Sequence, residues 1–170
     1  MNAKNGTQSL TKTGEDRFEI GTIKANEVIE SIVADFKQGI DFAVVIKGKK
    51  PTLLVPGADK LAFRFNLMAI FTKDIETIEM LSAVKGLVAF KCELISRFDG
   101  KKIGEGRGSA VLGDGGNCKD PNSTIKMAEI RAKRDAILNT FPVRDRYTQD
   151  IEDVVVQPKV VADSDGNVSL

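Results

Sequence analysis

The residues best suited to chemistry in this chain are cations, and they come in groups. Lys126, Arg131, Lys133 and Arg134 lie close together late in the sequence. Lys47, Lys49 and Lys50 surround Gly48 just ahead of Pro51, and Lys60 and Arg64 stand four residues apart. A lysine ammonium is a mobile point charge and a guanidinium is a rigid fork, so both suit a polyanion whose phosphates repeat at short intervals. Each group also has a plainer reading. Glu129 and Lys133 have the spacing of a helical ion pair, lysines at a turn are usually solvated, and Lys60 and Arg64 on one helical face can simply meet water.

Other chemistries find fewer residues. The chain has no histidine, which removes the commonest general base, most nucleophilic triads and the usual metal ligand. Cys92 and Cys118 stand far apart, whereas a zinc site needs about four ligands, so they read as two reduced thiols and no metal is expected. Glu76, Glu79, Glu93, Asp99 and Glu105 are scattered, and a metal-dependent DNA-processing enzyme built on carboxylates is the alternative they leave open. Gly104-Glu105-Gly106-Arg107-Gly108 has the look of a nucleotide loop, but Ser109-Ala110-Val111-Leu112 continues a strand where a helix would be required. Alternate glycines instead leave bare backbone on one face, where another chain or a ligand can lie close. With nine Phe, one Tyr (Tyr147) and no Trp, and with Phe36, Phe42, Phe90 and Phe98 fitting a core, backbone contact is a better expectation than base stacking. The chain reads as a non-enzyme without a cofactor, and a structural oligomer with no DNA role is the other alternative.

Charge is unevenly spread. The net charge is +1, yet residues 150–170 hold five acids against Lys159, so that stretch carries −4 and residues 1–149 carry +5. A basic body with an acidic tail suits an anionic ligand and a tail that competes for the same surface, or a tail that merely keeps the chain soluble. The 170 residues fit one domain over 17–153, with a polar arm over 1–16 and a flexible acidic tail over 154–170. No apolar run approaches the roughly 20 residues of a membrane span, and the start lacks a signal-peptide core, so a cytoplasmic protein is expected.

The elements that must position these cations follow from pattern. Val28, Ile29, Ile32, Val33 and Phe36 recur at helical spacing, predicting a helix over 25–37 stopped by Gly39. Phe42–Ile46 and Thr52–Val55 read as a hairpin joined by Lys47–Pro51, and Pro56-Gly57-Ala58-Asp59 opens a second helix. Three antiparallel strands are expected at 68–81, 86–98 and 101–112, with Asp99-Gly100 as the hairpin signal between the last two. A glycine-rich loop then leads to a long helix over 124–140, capped by Asn122 or Ser123 and stopped by Pro142. On that helix Ile125, Ala128, Ala132 and Ala136 form a narrow stripe fit to approach a sheet closely. Met127, Ile130, Ile137 and Leu138 form a second stripe that needs another partner, so the helix could line a groove between subunits. The class is α+β: an antiparallel sheet, hairpin plus three-stranded meander, packed on a long C-terminal helix.

Two segments carry a resemblance. Lys50-Pro51-Thr52-Leu53-Leu54-Val55-Pro56-Gly57-Ala58-Asp59-Lys60-Leu61 is the more specific. The other runs from Ser123-Thr124-Ile125-Lys126-Met127-Ala128-Glu129-Ile130-Arg131-Ala132 through Leu138 to Tyr147–Asp153. Both resemble phage-type recombination proteins related to the Rad fifty-two and Sak single-strand annealing proteins, over about residues 24–153. The resemblance implies a β-β-β-α core and homo-oligomers, either rings or helical filaments. It further implies single-stranded DNA in a basic groove and ATP-independent annealing of complementary strands in recombination and repair. Lys133 and Arg134 match the family's basic pair on the long helix, and Lys60 or Arg64 its basic position on the earlier one. With Lys126, Arg131, Lys49 and Lys50 these are the expected DNA contacts. A single-strand-binding protein or another recombination factor is a candidate partner, and a phage-encoded chain would work in the bacterial cytosol. Relatives with a cysteine-rich insert suggest zinc, but here only Cys118 stands in that place.

Overall fold

A computed structural model describes residues 14–148. Their order is α1 (Gly14–Ala34), β1 (Phe42–Ala43), β2 (Thr52–Leu53), α2 (Val55–Arg64), β3 (Leu67–Lys73), α3 (Ile75–Met80), β4 (Leu87–Ser96), β5 (Lys102–Val111) and α4 (Pro121–Thr140). The class is α+β, with a β1–β2 hairpin and a β3–β4–β5 antiparallel meander packed against α4. Residues 1–13 of the arm expected over 1–16, and the tail, lie outside the described residues. Gly14 to Asp16 belong to α1 rather than to the arm.

The helix α4 is the middle layer. Its Ala128, Ala132 and Ala136 are fully buried against the meander, and Ile137, Leu138 and Phe141 join Ile29, Leu53, Ala58 and Leu61 on the other side. The meeting with β5 depends on missing side chains. A Cβ on Gly106 would fall 2.6 Å from Ala136 Cα, and one on Gly104 3.0 Å from Thr140 Cβ, while one on Gly108 would overlap the backbone of Ala132. Two strand residues advance about 6.8 Å and four helical residues about 6 Å, so alternate glycines keep step with one helical face. The bare backbone expected from the sequence is thus covered by this chain's own α4. Likewise Ile137 and Leu138 of the second apolar stripe pack with Leu53, Ala58 and Leu61 of the same chain and Met127 packs beside Ala110 and Cys118, where the pattern suggests a groove between subunits.

Several boundaries differ from expectation for local reasons. The strand expected over 68–81 ends at Lys73, because the buried Asp74 accepts hydrogen bonds from Thr77 N (3.3 Å) and Thr77 Oγ1 (2.7 Å) and so caps α3. Only Phe42–Ala43 and Thr52–Leu53 of the hairpin pair, and Val55 already belongs to α2. Asp120 caps α4 in a reciprocal arrangement with Ser123, displacing the two residues expected in that role. The Asp99-Gly100 turn forms, with Gly100 at φ 70°, but Phe98 in that turn is 91% exposed and not part of the core.

Candidate nucleic-acid interface

The fold brings together the two segments that carry the resemblance. The aspartate Asp59, one turn into α2, forms an ion pair with Lys133 on α4, and Phe65 stacks near Phe141 with ring centroids 4.7 Å apart. These two contacts run α2 alongside α4 in the same direction. Leu54, ahead of α2, supplies no side-chain cap, and the first turn of that helix carries no acid. A helix start of this kind favours negative charge.

The eight expected cations do not share one surface. The Arg134 side chain is turned inward, 3% exposed, and its guanidinium donates to the Leu53 carbonyl at 3.3 Å. It ties α4 to β2 and so is not presented on an open groove beside Lys133, as the sequence suggests. Arg131 lies on another side of α4, where it donates to Ser109 O at the edge of β5. Lys60 holds the fully buried Asp41 at 2.6 Å and sits 5.9 Å over the Phe36 ring. Burial alone would raise the Asp41 pKa, yet the hydrogen bonds from Lys60 and the Lys37 amide hold it below the usual carboxylate value. Lys50 donates to the Arg144 carbonyl at 3.0 Å. Within the hairpin tip and α2, then, Lys50 and Lys60 are engaged in holding the fold.

Three of the eight remain on the surface with no ion pair among the described residues: Lys49, Arg64 and Lys126. Lys133 joins them in a different sense, because its partner Asp59 is half exposed. Lys133 itself is 24% exposed, and a pair open to solvent on its carboxylate side leaves room for an incoming anion to exchange with that carboxylate. Lys126 and Lys133 are seven residues apart on α4, hence on one side of the helix and about 10 Å apart along it. That spacing spans roughly one to two phosphates of an extended strand. No local pattern marks Asp59 as a competitor for Lys133, since the two are joined only by the tertiary fold.

A second charged cluster lies on the sheet face opposite α4. Lys91 and Arg107 are cross-strand neighbours, and both reach Glu76 (2.9 and 3.1 Å) and the buried Asp74 (3.7 and 3.5 Å). These ion pairs seat α3 on the sheet. The Cys92 thiol is fully buried and burial pushes its pKa up to about 11, so it is held as an inert thiol. Cys118 is buried as well, against Ala110 and Ala128. Among the described residues no group of three or more Cys, Asp or Glu is placed to hold a metal ion, and no helix is long and apolar enough to cross a membrane.

No family model matches the chain, and neither the curated proteins nor the solved structures include a match.

Proposed function

We propose that the chain binds single-stranded DNA and anneals complementary strands without ATP, using Lys133 and Lys126 on α4 beside the head of α2. One observation carries this reading: the ammonium of Lys133 stands where the two resemblance-bearing segments meet, in a partly exposed ion pair whose carboxylate a phosphate can replace. The β-β-β-α order of β3, β4, β5 and α4, interrupted only by the short α3, agrees with the architecture that the resemblance implies. Lys49 and Arg64 are further surface cations that a longer strand can reach. The protein grips sugar-phosphate, since no row of exposed aromatics offers a stacking platform among the described residues, and bases left outward are available for pairing.

The test is binding of a dye-labelled oligonucleotide by fluorescence anisotropy across a salt series, with annealing of two complementary strands read by quenching. Removing one lysine–phosphate interaction should reduce the logarithmic salt slope by about 0.7. The double variant Lys126→Ala, Lys133→Ala is expected to keep its fold and lose annealing, with a slope lower by about 1.4. Annealing at the wild-type rate by that variant would reject the site.

A further inference from the structure

The two edges of the meander are finished differently. Backbone groups alternate between neighbours along a strand, so one parity of β5 points away from β4. On that outer edge the Glu105 carbonyl accepts from Asn139 Nδ2 at 3.3 Å, the Arg107 amide donates to Asp135 Oδ2 at 2.9 Å, and the Ser109 carbonyl accepts from Arg131. Arg131, Asp135 and Asn139 follow one another at four-residue spacing on α4. One helical face therefore bonds one backbone group on each of three successive outward residues of β5. That edge is closed.

The edge of β3 is covered only at its first residue, where the Leu67 carbonyl accepts from Arg97 Nε at 3.4 Å. Asn66 O accepts from Arg97 N and Asp74 N donates to Ala89 O, so the even-numbered residues between them face β4 and Ala69, Phe71 and Lys73 turn their amides and carbonyls outward. Among the described residues no hydrogen bond reaches those groups. The strand Leu67-Met68-Ala69-Ile70-Phe71-Thr72-Lys73 contains no Pro, no Gly and a single terminal charge, and no register shift interrupts its pairing with β4. Proteins usually blunt an open edge with such devices, and an apolar edge without them is a template for strand addition.

We infer that β3 pairs antiparallel with β3 of a second copy, joining two meanders into one six-stranded sheet about a two-fold axis at Ile70. The sequence is self-complementary in that register. Outward Ala69 meets outward Phe71 of the second copy, so their free amides and carbonyls bond each other, and Leu67, whose carbonyl Arg97 already holds, stands opposite Lys73 at each end, so the central residues make the pairing. The exposed Ile70 meets its own counterpart and the exposed Met68 meets Thr72, extending an apolar strip on the face away from α4. Such isologous pairing matches a patch to itself and closes. It rests on backbone geometry and stands whether or not the chain binds DNA.

The test is solution mass by analytical ultracentrifugation, with far-UV circular dichroism as the check on folding. The wild-type chain should sediment as an even-numbered assembly. Ile70→Lys and Ile70→Glu, each placing like charges across the axis, should halve that mass without loss of structure. Mixing the two variants should restore it. Ile103→Lys, an exposed change of the same type on β5, should leave the mass unchanged. In hydrogen exchange the amides of Ala69 and Phe71 should be protected in the wild type and open in Ile70→Lys. A monomeric wild type, an unchanged mass for Ile70→Lys, or a mixture of Lys and Glu variants that stays dissociated would each overturn the proposal, the first assigning the edge to a foreign strand.

Discussion

Asp59 sets the affinity of the proposed interface as much as any cation does. Replacing it by Asn removes the anion that competes for Lys133, so Asp59→Asn should tighten oligonucleotide binding several-fold at low salt, with a shrinking difference as salt rises; unaltered anisotropy titrations would show that Lys133 does not touch the strand. Arg134 behaves differently. Truncation to Ala empties a buried site and strips a hydrogen bond from Leu53 O, and should lower stability by about 2–4 kcal/mol in urea unfolding. Loss of binding in that variant would report unfolding rather than removal of a DNA-binding group. Acid stability depends on Asp41 and Asp74, whose carboxylates are held below the ordinary value despite burial, Asp74 through Thr77, Arg107 and Lys91. A depressed folded pKa contributes stability that is complete above the unfolded value, about 4, and is lost as pH falls through the folded one. The urea midpoint should therefore stay level from neutral pH to about 5 and drop below about 4, and Asp41→Asn should weaken that drop. Residue types and spacing make the cations visible in the sequence, but not which of them the fold consumes. The partner of Arg134 is 81 residues away and that of Lys133 74 residues away, separations across which no local pattern speaks.

At the scale of elements, periodicity locates the helices and the meander because apolar spacing reports directly on one-sided burial. It fails where a single side chain resets the backbone. Asp74 ends β3 and begins α3, although Ile75, Ile78, Met80 and Leu81 look as much like strand as helix. The alternate glycines of β5 mark a place of close approach but not the approaching partner, because α4 is separated from them by a loop and its Ala stripe suits any sheet. Gly106 and Gly108 are equally strict positions, and Gly106 serves as the test. A methyl there meets backbone rather than a yielding side chain, so Gly106→Ala should cost about 3 kcal/mol or prevent folding, measured by thermal unfolding, while Gly116→Ala, with open space around it, should change the midpoint little.

For the molecule as a whole, opposite charge in the sequence suggests self-competition. Residues 150–170, which carry the −4, should weaken oligonucleotide binding, so removing them is expected to raise affinity at low salt, and equal or lower affinity would reject that role. The glycines of β5 carry a further consequence for how the chain reaches its native state. Glycine resists extended order by roughly 0.5–1 kcal/mol per residue relative to alanine, so a strand with three of them has little reason to persist before α4 arrives. Docking of the helix and completion of the hairpin then become a single late event joining segments far apart along the chain. In native-state exchange, amides of β5 and α4 should open together with one shared free energy, as one unit rather than two.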